Sequence, residues 1–338
     1  MSDVYRLYGV ELSPYSVKVR SHLRYKGVPH LWIVRDAETT AEYQAKAKLP
    51  IIPLLVTPEG EAWQDSTPIM EAIEARFASP SIDPDDPVAA FVSILLEEFG
   101  DEWGNKWMFH LRWARDEDAL SAGGRIAATM AKPGDEGARI AIREKVVERM
   151  RGRVWFVGSS AETAARIERS FRDAIGLLDR HLATRPYVFG GRPSWGDFGL
   201  WGQVYNAWTD PTGSAWIESS GRHVLDWIHR MLWPRAEGGF ESWSTLAATL
   251  EPFLASQVGA LFCPWTLANA VAIESGSETF TVDLAGEPFS QKPQKYHAKS
   301  LRALQTKYAA LSAGDRKAVD PVLERTGCLE AMRGGGGA

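Results

Sequence analysis

Between Val4 and Phe77 the hydrophobic period changes repeatedly, and the order of those changes restricts the fold more than any other feature. Val4 to Tyr8 alternates as a strand does. Ser13-Pro14 then opens a helical run that sets Tyr15, Val19 and Leu23 on one face, and Gly27 ends it. HLWIV (His30 to Val34) reads as a second strand and AEYQAKAK as a short helix. IIPLLV (Ile51 to Val56) follows, then a TPEG turn, a strand EAWQD and a helix from Thr67 to Phe77. The order is β-α-β-α-β-β-α.

A strand that returns parallel after a helix, then a hairpin and a closing helix, is the ordering of the thioredoxin-like fold. PSIDPDDP (Pro80 to Pro87) is a linker, because its prolines cannot continue a helix and its aspartates stay solvated. From Val88 helical patterns dominate. FVSILLEEFGDEWGNKWMFHLRWARDED is a long helical run with a bend expected at Gly100 and Gly104. Two further amphipathic helices are ARIAIREKVVERM and TAARIERSFRDAIGLLDRHL. The character changes again near Ala248: FTVDLAGEPF reads as a hairpin turning at Ala-Gly-Glu, and KYHAKSLRALQTKYAAL as another helix. The terminal GGGGA has no core-forming residue and is expected to be disordered. The division is therefore 1–79 (α/β, thioredoxin-like), 88–247 (all-α) and 248–333 (a C-terminal extension).

Composition narrows the function classes. The chain has 338 residues, 45% apolar and 24% charged, with a net charge of −5 and no basic block. Phosphate neutralisation needs clustered Lys and Arg, so nucleic acid is not the expected partner. No stretch reaches the ~18 apolar residues of a bilayer span, so no membrane partner is expected either. Two cysteines, Cys263 and Cys328, give no disulfide framework, and a reducing cytoplasm is the expected compartment. FCPW at Cys263 lacks the strand-before-helix setting of a redox motif and reads as buried packing. The seven histidines show no metal-ligand spacing, so no metal is expected.

Three short segments of the first domain carry chemistry. SPYS (Ser13 to Ser16) stands where a Cys-x-x-Cys run would be a thiol-disulfide site, but both cysteine positions hold serine. Pro53 interrupts IIPLLV. It fits either an edge strand in trans, or a cis Ile52-Pro53 bond that turns the Ile52 N–H and C=O outward toward an extended peptide. QDSTPI (Gln64 to Ile69) puts an acid and a serine at a strand-to-helix junction, with Thr67 or Ser66 as cap and Pro68 in the first turn. Such a junction is a capped helix start, and its free N–H groups can also take a carboxylate while Asp65 takes an ammonium.

SPYSVKVR after the first strand, the proline of IIPLLV and the acid-serine pair of QDSTPI together resemble the N-terminal domain of the cytosolic glutathione transferase superfamily. RPSWGDFGLWGQV adds the signature of its helical domain, a Ser194-x-x-Asp197 capping box. The resemblance spans roughly residues 4–245 and is to the serine-type branch, with zeta-, theta- or omega-like N-terminal domains. It implies glutathione as co-substrate, a small apolar electrophile and a cytosolic homodimer joined along the helix from Thr67 and the helix after Val88. It implies further that Ser13 donates a hydrogen bond to the glutathione thiolate, with Ser16 one turn on as the alternative. Ile52 and Pro53 would hold the cysteinyl part, and Asp65 with Ser66 the γ-glutamyl end. Where many serine-type members carry Asn-Pro this chain has Ala47-Lys48, which leaves Lys48 for the glycyl carboxylate.

Tyr15 reads as core, and Lys18 and Arg20 as structural or solvated. Trp103, Trp107 and His110 share a helical face at i, i+4, i+7, either as the wall for the second substrate or as domain-interface packing. Three roles are open to residues 248–333: capping the site, extending a dimer contact, or packing on the helical domain. A non-catalytic binding or interaction module on the same fold is the competing reading.

Overall fold

The computed structural model describes residues 4–334, so all of the GGGGA tail except Gly334 lies outside the described residues. The chain begins with β1 (Tyr5–Gly9), α1 (Pro14–Tyr25), β2 (His30–Val34), α2 (Thr40–Lys46), β3 (Leu54–Val56), β4 (Ala62–Gln64) and α3 (Ser66–Arg76). The sheet order is β2-β1-β3-β4, with β1 parallel to β2 and antiparallel to β3. This is the thioredoxin-like arrangement expected from the order of periods. Strand β3 is shorter than the apolar run Ile51–Val56, because Pro53 has no N–H to give the ladder. Helix α3 is capped by Asp65 rather than by Ser66 or Thr67: the Asp65 side chain accepts the Ser66 N–H at 2.8 Å.

The second domain begins with α4 (Pro87–Phe99), which continues through a π-helical turn (Gly100–Gly104) into α5 (Asn105–Ala114). Then come α6 (Asp116–Met130), α7 (Glu136–Arg151), α8 (Ala164–Leu182), α9 (Trp195–Trp208), α10 (Pro211–Ser220) and α11 (Arg222–Leu232). Gly100 does more than permit a bend. A Cβ there would lie 2.5 Å from the Gly199 carbonyl carbon, so the backbones of the π turn and α9 touch. Ser194 and Asp197 form the expected capping box on α9. The Asp197 carboxylate also accepts from Val188 N–H at 2.8 Å and from the Trp227 indole at 2.9 Å, tying α9 to α11.

Residues 247 and 248 lie inside a single helix. Helix α12 (Trp243–Phe253) runs through a π turn (Leu254–Phe262) into α13 (Cys263–Ser275), one rod of 33 residues. By length and composition this rod could cross a bilayer, contrary to the reading from residue runs, but here it sinks Leu246, Leu250, Phe253, Val258 and Phe262 into the protein core. A hairpin of β5 (Phe280–Leu284) and β6 (Glu287–Gln291) follows, then α14 (Lys295–Ala309), α15 (Ala313–Arg325) and α16 (Leu329–Arg333). The hairpin turns on two residues, Ala285 (φ 53°) and Gly286 (φ 83°), both left-handed as a tight antiparallel turn demands; Glu287 is already in β6. Cys263 and Cys328 are free and buried, and the neighbouring Cys328 side chain, together with burial, pushes the Cys263 thiol pKa up.

The C-terminal helices lie on α3 and α4, the two helices expected to face a second subunit. Tyr308 packs edge-on against Phe91 with ring centres 5.7 Å apart, and Lys307 pairs with Glu71 at 2.7 Å. Ser300 donates to Glu98.

Candidate functional site

A cleft of about 790 Å³ opens where the end of β1, the start of α1 and the loop before β3 face α5 and α6. Ser13 sits at its floor as the N-cap of α1, and its oxygen accepts the Ser16 N–H at 3.2 Å. The hydroxyl proton remains free to donate into the cleft. No acidic residue occupies the first turn of α1, so the positive helix end is uncompensated. Ser16 is not an alternative source of that proton. It is fully buried, and it packs so tightly on Gly9 that a Cβ on Gly9 would lie 2.8 Å from its Oγ.

Tyr15 lines the cleft, half-buried, rather than lying in the core. Its hydroxyl donates to the Asp101 carbonyl at 2.8 Å, so its proton is committed. Burial, with the Asp101 and Asp65 carboxylates nearby, pushes the phenol well above its ordinary pKa.

The Ile52–Pro53 peptide is cis, and Ile52 lines the cleft. Among the described residues neither its N–H nor its C=O has a hydrogen-bond partner. The preceding carbonyl, that of Ile51, is satisfied by the Tyr43 hydroxyl at 2.6 Å and the Gln64 amide at 3.2 Å. An unpaired backbone N–H and C=O on one residue facing a cleft is a place for an external strand.

Asp65 has φ 77°, ψ 137°, outside the regions that non-glycine residues prefer. One carboxylate oxygen caps α3, and the other accepts from the Tyr296 hydroxyl of α14 at 2.8 Å. Ser66 is buried, with its hydroxyl 3.4 Å from Asp101 Oδ2. Behind both lies a buried charge cluster. The Lys18 ammonium contacts Glu97 and lies 2.6 Å from Asp101, joining α1 to α4 and the π turn. One cation cannot compensate two carboxylates. Burial therefore pushes Asp101 up to about 7, while Lys18 holds Glu97 low against the same burial. Arg20 is likewise structural, pairing with Glu11 at 2.8 Å and stacking 4.3 Å over Trp32.

A model of the glutathione S-transferase N-terminal domain matches residues 7–81, and one of the glutathione S-transferase C-terminal domain matches residues 161–230. Residues 7–81 and 161–230 are thus similar to the two domains of glutathione S-transferases, in their order along the chain. Solved structures similar to it include a glutathione S-transferase from Methylobacterium radiotolerans in complex with glutathione sulfonate: 18% identity, 71% of this chain and 97% of that one covered, TM-score 0.41. Others are FzlA from C. crescentus (18%, 68% and 89%, TM-score 0.43) and the beta-etherase LigF from Sphingobium (17%, 67% and 94%, TM-score 0.41). Among curated proteins no sequence matches.

The helical wall of the cleft differs from the one expected. Trp103 and Trp107 are fully buried, and both indoles donate to the Ser170 hydroxyl at 2.9 Å. His110 is buried between Ser159 (2.8 Å) and Glu168 (3.2 Å), and burial pushes its pKa down. None of the three lines the cleft; Met108, Phe109 and Trp113 do, joined by Ile126, Met130 and Phe156. Lys48 is exposed and also outside the lining, whereas Arg35 is in it. The Arg35 guanidinium stacks 4.5 Å over Tyr43 and has no carboxylate partner among the described residues, while Arg112 and Arg125 are both committed to Asp210. Arg35 has one sequence signal, its place directly after β2 at the carboxyl edge of a parallel pair. Among the described residues no group of three or more His, Cys, Asp or Glu is placed to hold a metal.

Proposed function

We propose that the chain is a glutathione transferase of the serine type, in which Ser13 stabilises the thiolate of glutathione bound along Ile52. The observation that carries this is a conjunction: unpaired N–H and C=O on Ile52 beside a serine hydroxyl with a free proton at an uncompensated helix N-terminus. The cysteinyl backbone pairs with Ile52 as an added strand, and its thiol lies against Ser13. Asp65 takes the γ-glutamyl ammonium, and Arg35, in place of Lys48, takes the glycyl carboxylate. A free cysteine thiol has a pKa of about 8.5. A hydrogen bond to the sulfur together with the helix end needs to supply about 2–3 kcal/mol to lower it by two units.

The thiolate then attacks an electrophile held by Met108, Phe109 and Trp113. A carbon–sulfur bond forms, and the electron pair passes to the leaving group or, in an addition, to the acceptor carbon. The apolar wall selects an electrophile with an apolar body and keeps water from the sulfur. Free, buried cysteine thiols fit a reducing cytoplasm.

Calorimetry with glutathione, followed by turnover on a panel of apolar electrophiles, tests the proposal. Binding with turnover is expected. Binding without turnover on any electrophile favours a non-catalytic binding module, a reading with one observation behind it: Tyr296 already stands on Asp65.

A further inference from the structure

At the start of α3 the C-terminal region reaches into the site. The Tyr296–Asp65 hydrogen bond joins residues 231 positions apart. Beneath it, between α3, α4 and α14, is a second cavity of about 140 Å³. A cavity of about 150 Å³ holds a six-membered ring, so this one admits a group of several heavy atoms.

The charges around it are nearly all committed. Lys307 pairs with Glu71 at 2.7 Å, and Glu97 is held by Lys18 and by the Thr67 hydroxyl at 2.6 Å. Glu98 accepts from Ser300, and burial beside Glu97 raises its pKa to about 8, so it is protonated at neutral pH. What remains is one anion, Asp65, and one exposed cation, Lys299, with no carboxylate partner among the described residues. The Tyr296 hydroxyl gives its proton to Asp65 but keeps its oxygen lone pairs, so the two side chains together offer an ammonium a seat of two acceptors. Tyr15 lines the cleft and donates to the Asp101 carbonyl, and the Asp101 carboxylate lies 3.5 Å from the Thr67 hydroxyl that lines this cavity, so Asp101 stands between the two spaces.

One anion, one cation and a small volume match the ammonium and carboxylate of an α-amino acid. We propose that α14 completes the glutathione site within the same chain, with Tyr296 and Asp65 holding the γ-glutamyl ammonium and Lys299 its carboxylate. This rests on the reading that the cleft binds glutathione, and it adds that recognition of the amino-acid end is built from the C-terminal region.

The test is calorimetry on the full chain, wild type against Tyr296→Phe and Lys299→Met, with three ligands: glutathione, its analogue lacking the α-amino group, and the dipeptide Cys-Gly. Each substitution is expected to weaken glutathione roughly tenfold, the cost of one charge-assisted hydrogen bond. Tyr296→Phe should leave the des-amino analogue unchanged, and both variants should leave Cys-Gly unchanged. Variants that bind glutathione within twofold of wild type, or more tightly, overturn the assignment, the latter showing that α14 only obstructs. A wild type that binds no glutathione overturns the functional reading itself. Thermal melts of both variants exclude loss of folding as the cause of weakened binding.

Discussion

The two walls of the cleft are made of different material. The thioredoxin-like wall presents backbone, the amide of Ile52 and the first turn of α1, each fixed by a cap or a proline. The wall from α5 and α6 presents side chains, the apolar Met108, Phe109, Trp113, Ile126 and Met130 with Asn105, Thr129 and the Asp210-bound Arg112 and Arg125 among them. Backbone donors and acceptors recognise one ligand geometry, whereas apolar side chains accept any body of suitable size. The proposed function uses that difference, with a constant co-substrate on one side and a variable partner on the other.

The strongest way to break the comparison is to cut the joint between the walls. Lys18→Met leaves Glu97 and Asp101 uncompensated in the interior, and removing one partner of a buried ion group typically costs about 3–5 kcal/mol. Urea unfolding should show a loss of that size, and a loss under 1 kcal/mol would mean that the cluster does not hold the domains.

The next effect sharpens the backbone wall. Ser13→Ala should leave glutathione affinity nearly unchanged and return the bound thiol toward its free pKa. The rate at neutral pH should fall about tenfold to a hundredfold and largely recover above pH ~9. The readout is thiolate absorbance titrated in the complex; an unchanged pKa passes the role to a backbone N–H of α1, since Ser16 faces Gly9.

Phe109→Ala addresses the other wall. It should raise KM for an apolar electrophile severalfold, with glutathione affinity fixed, because burying one aromatic side chain contributes about 1.5–3 kcal/mol and only part of it faces the cleft. An equal change in glutathione binding would show that the walls do not act separately.

The smallest effect concerns pH. Glu98 and Asp101 have pKa values raised to about 8 and about 7, with burial as the leading cause. Groups raised in the folded state hold protons that the unfolded chain releases, so their contribution to stability is complete below the ordinary carboxylate range. It is lost as pH rises toward 8. Melting temperature should therefore decline less steeply between pH 5 and 8 in Glu98→Gln than in wild type. Parallel profiles would remove Glu98 from that decline.

What was legible in the sequence divides along the same line. Ser13, the outward-turned Ile52 and the helix start at Asp65 depend on local rules of caps and prolines, which a short segment carries within itself. Trp103, Trp107 and His110 do share a face, but it is turned toward Ser170 and Glu168 on α8 and not toward the cleft; a helical period gives a common face without saying what lies opposite it. Arg35 emerges only once its competitors are seen to be paired with Asp210. Tyr296 meets Asp65 through tertiary packing alone, which no local pattern announces.

The placement of α14 and α15 on α3 and α4 has a consequence for how the protein responds to dilution. Contacts made by a second subunit obey mass action and are lost as concentration falls, while contacts within one chain are unimolecular and persist. Tyr296 reaches Asp65 from its own chain, and Lys307 and Tyr308 cover part of the α3 and α4 surface expected to join two subunits. Activity per mole should accordingly stay constant from micromolar to nanomolar protein, and the particle should scatter light as a single chain throughout.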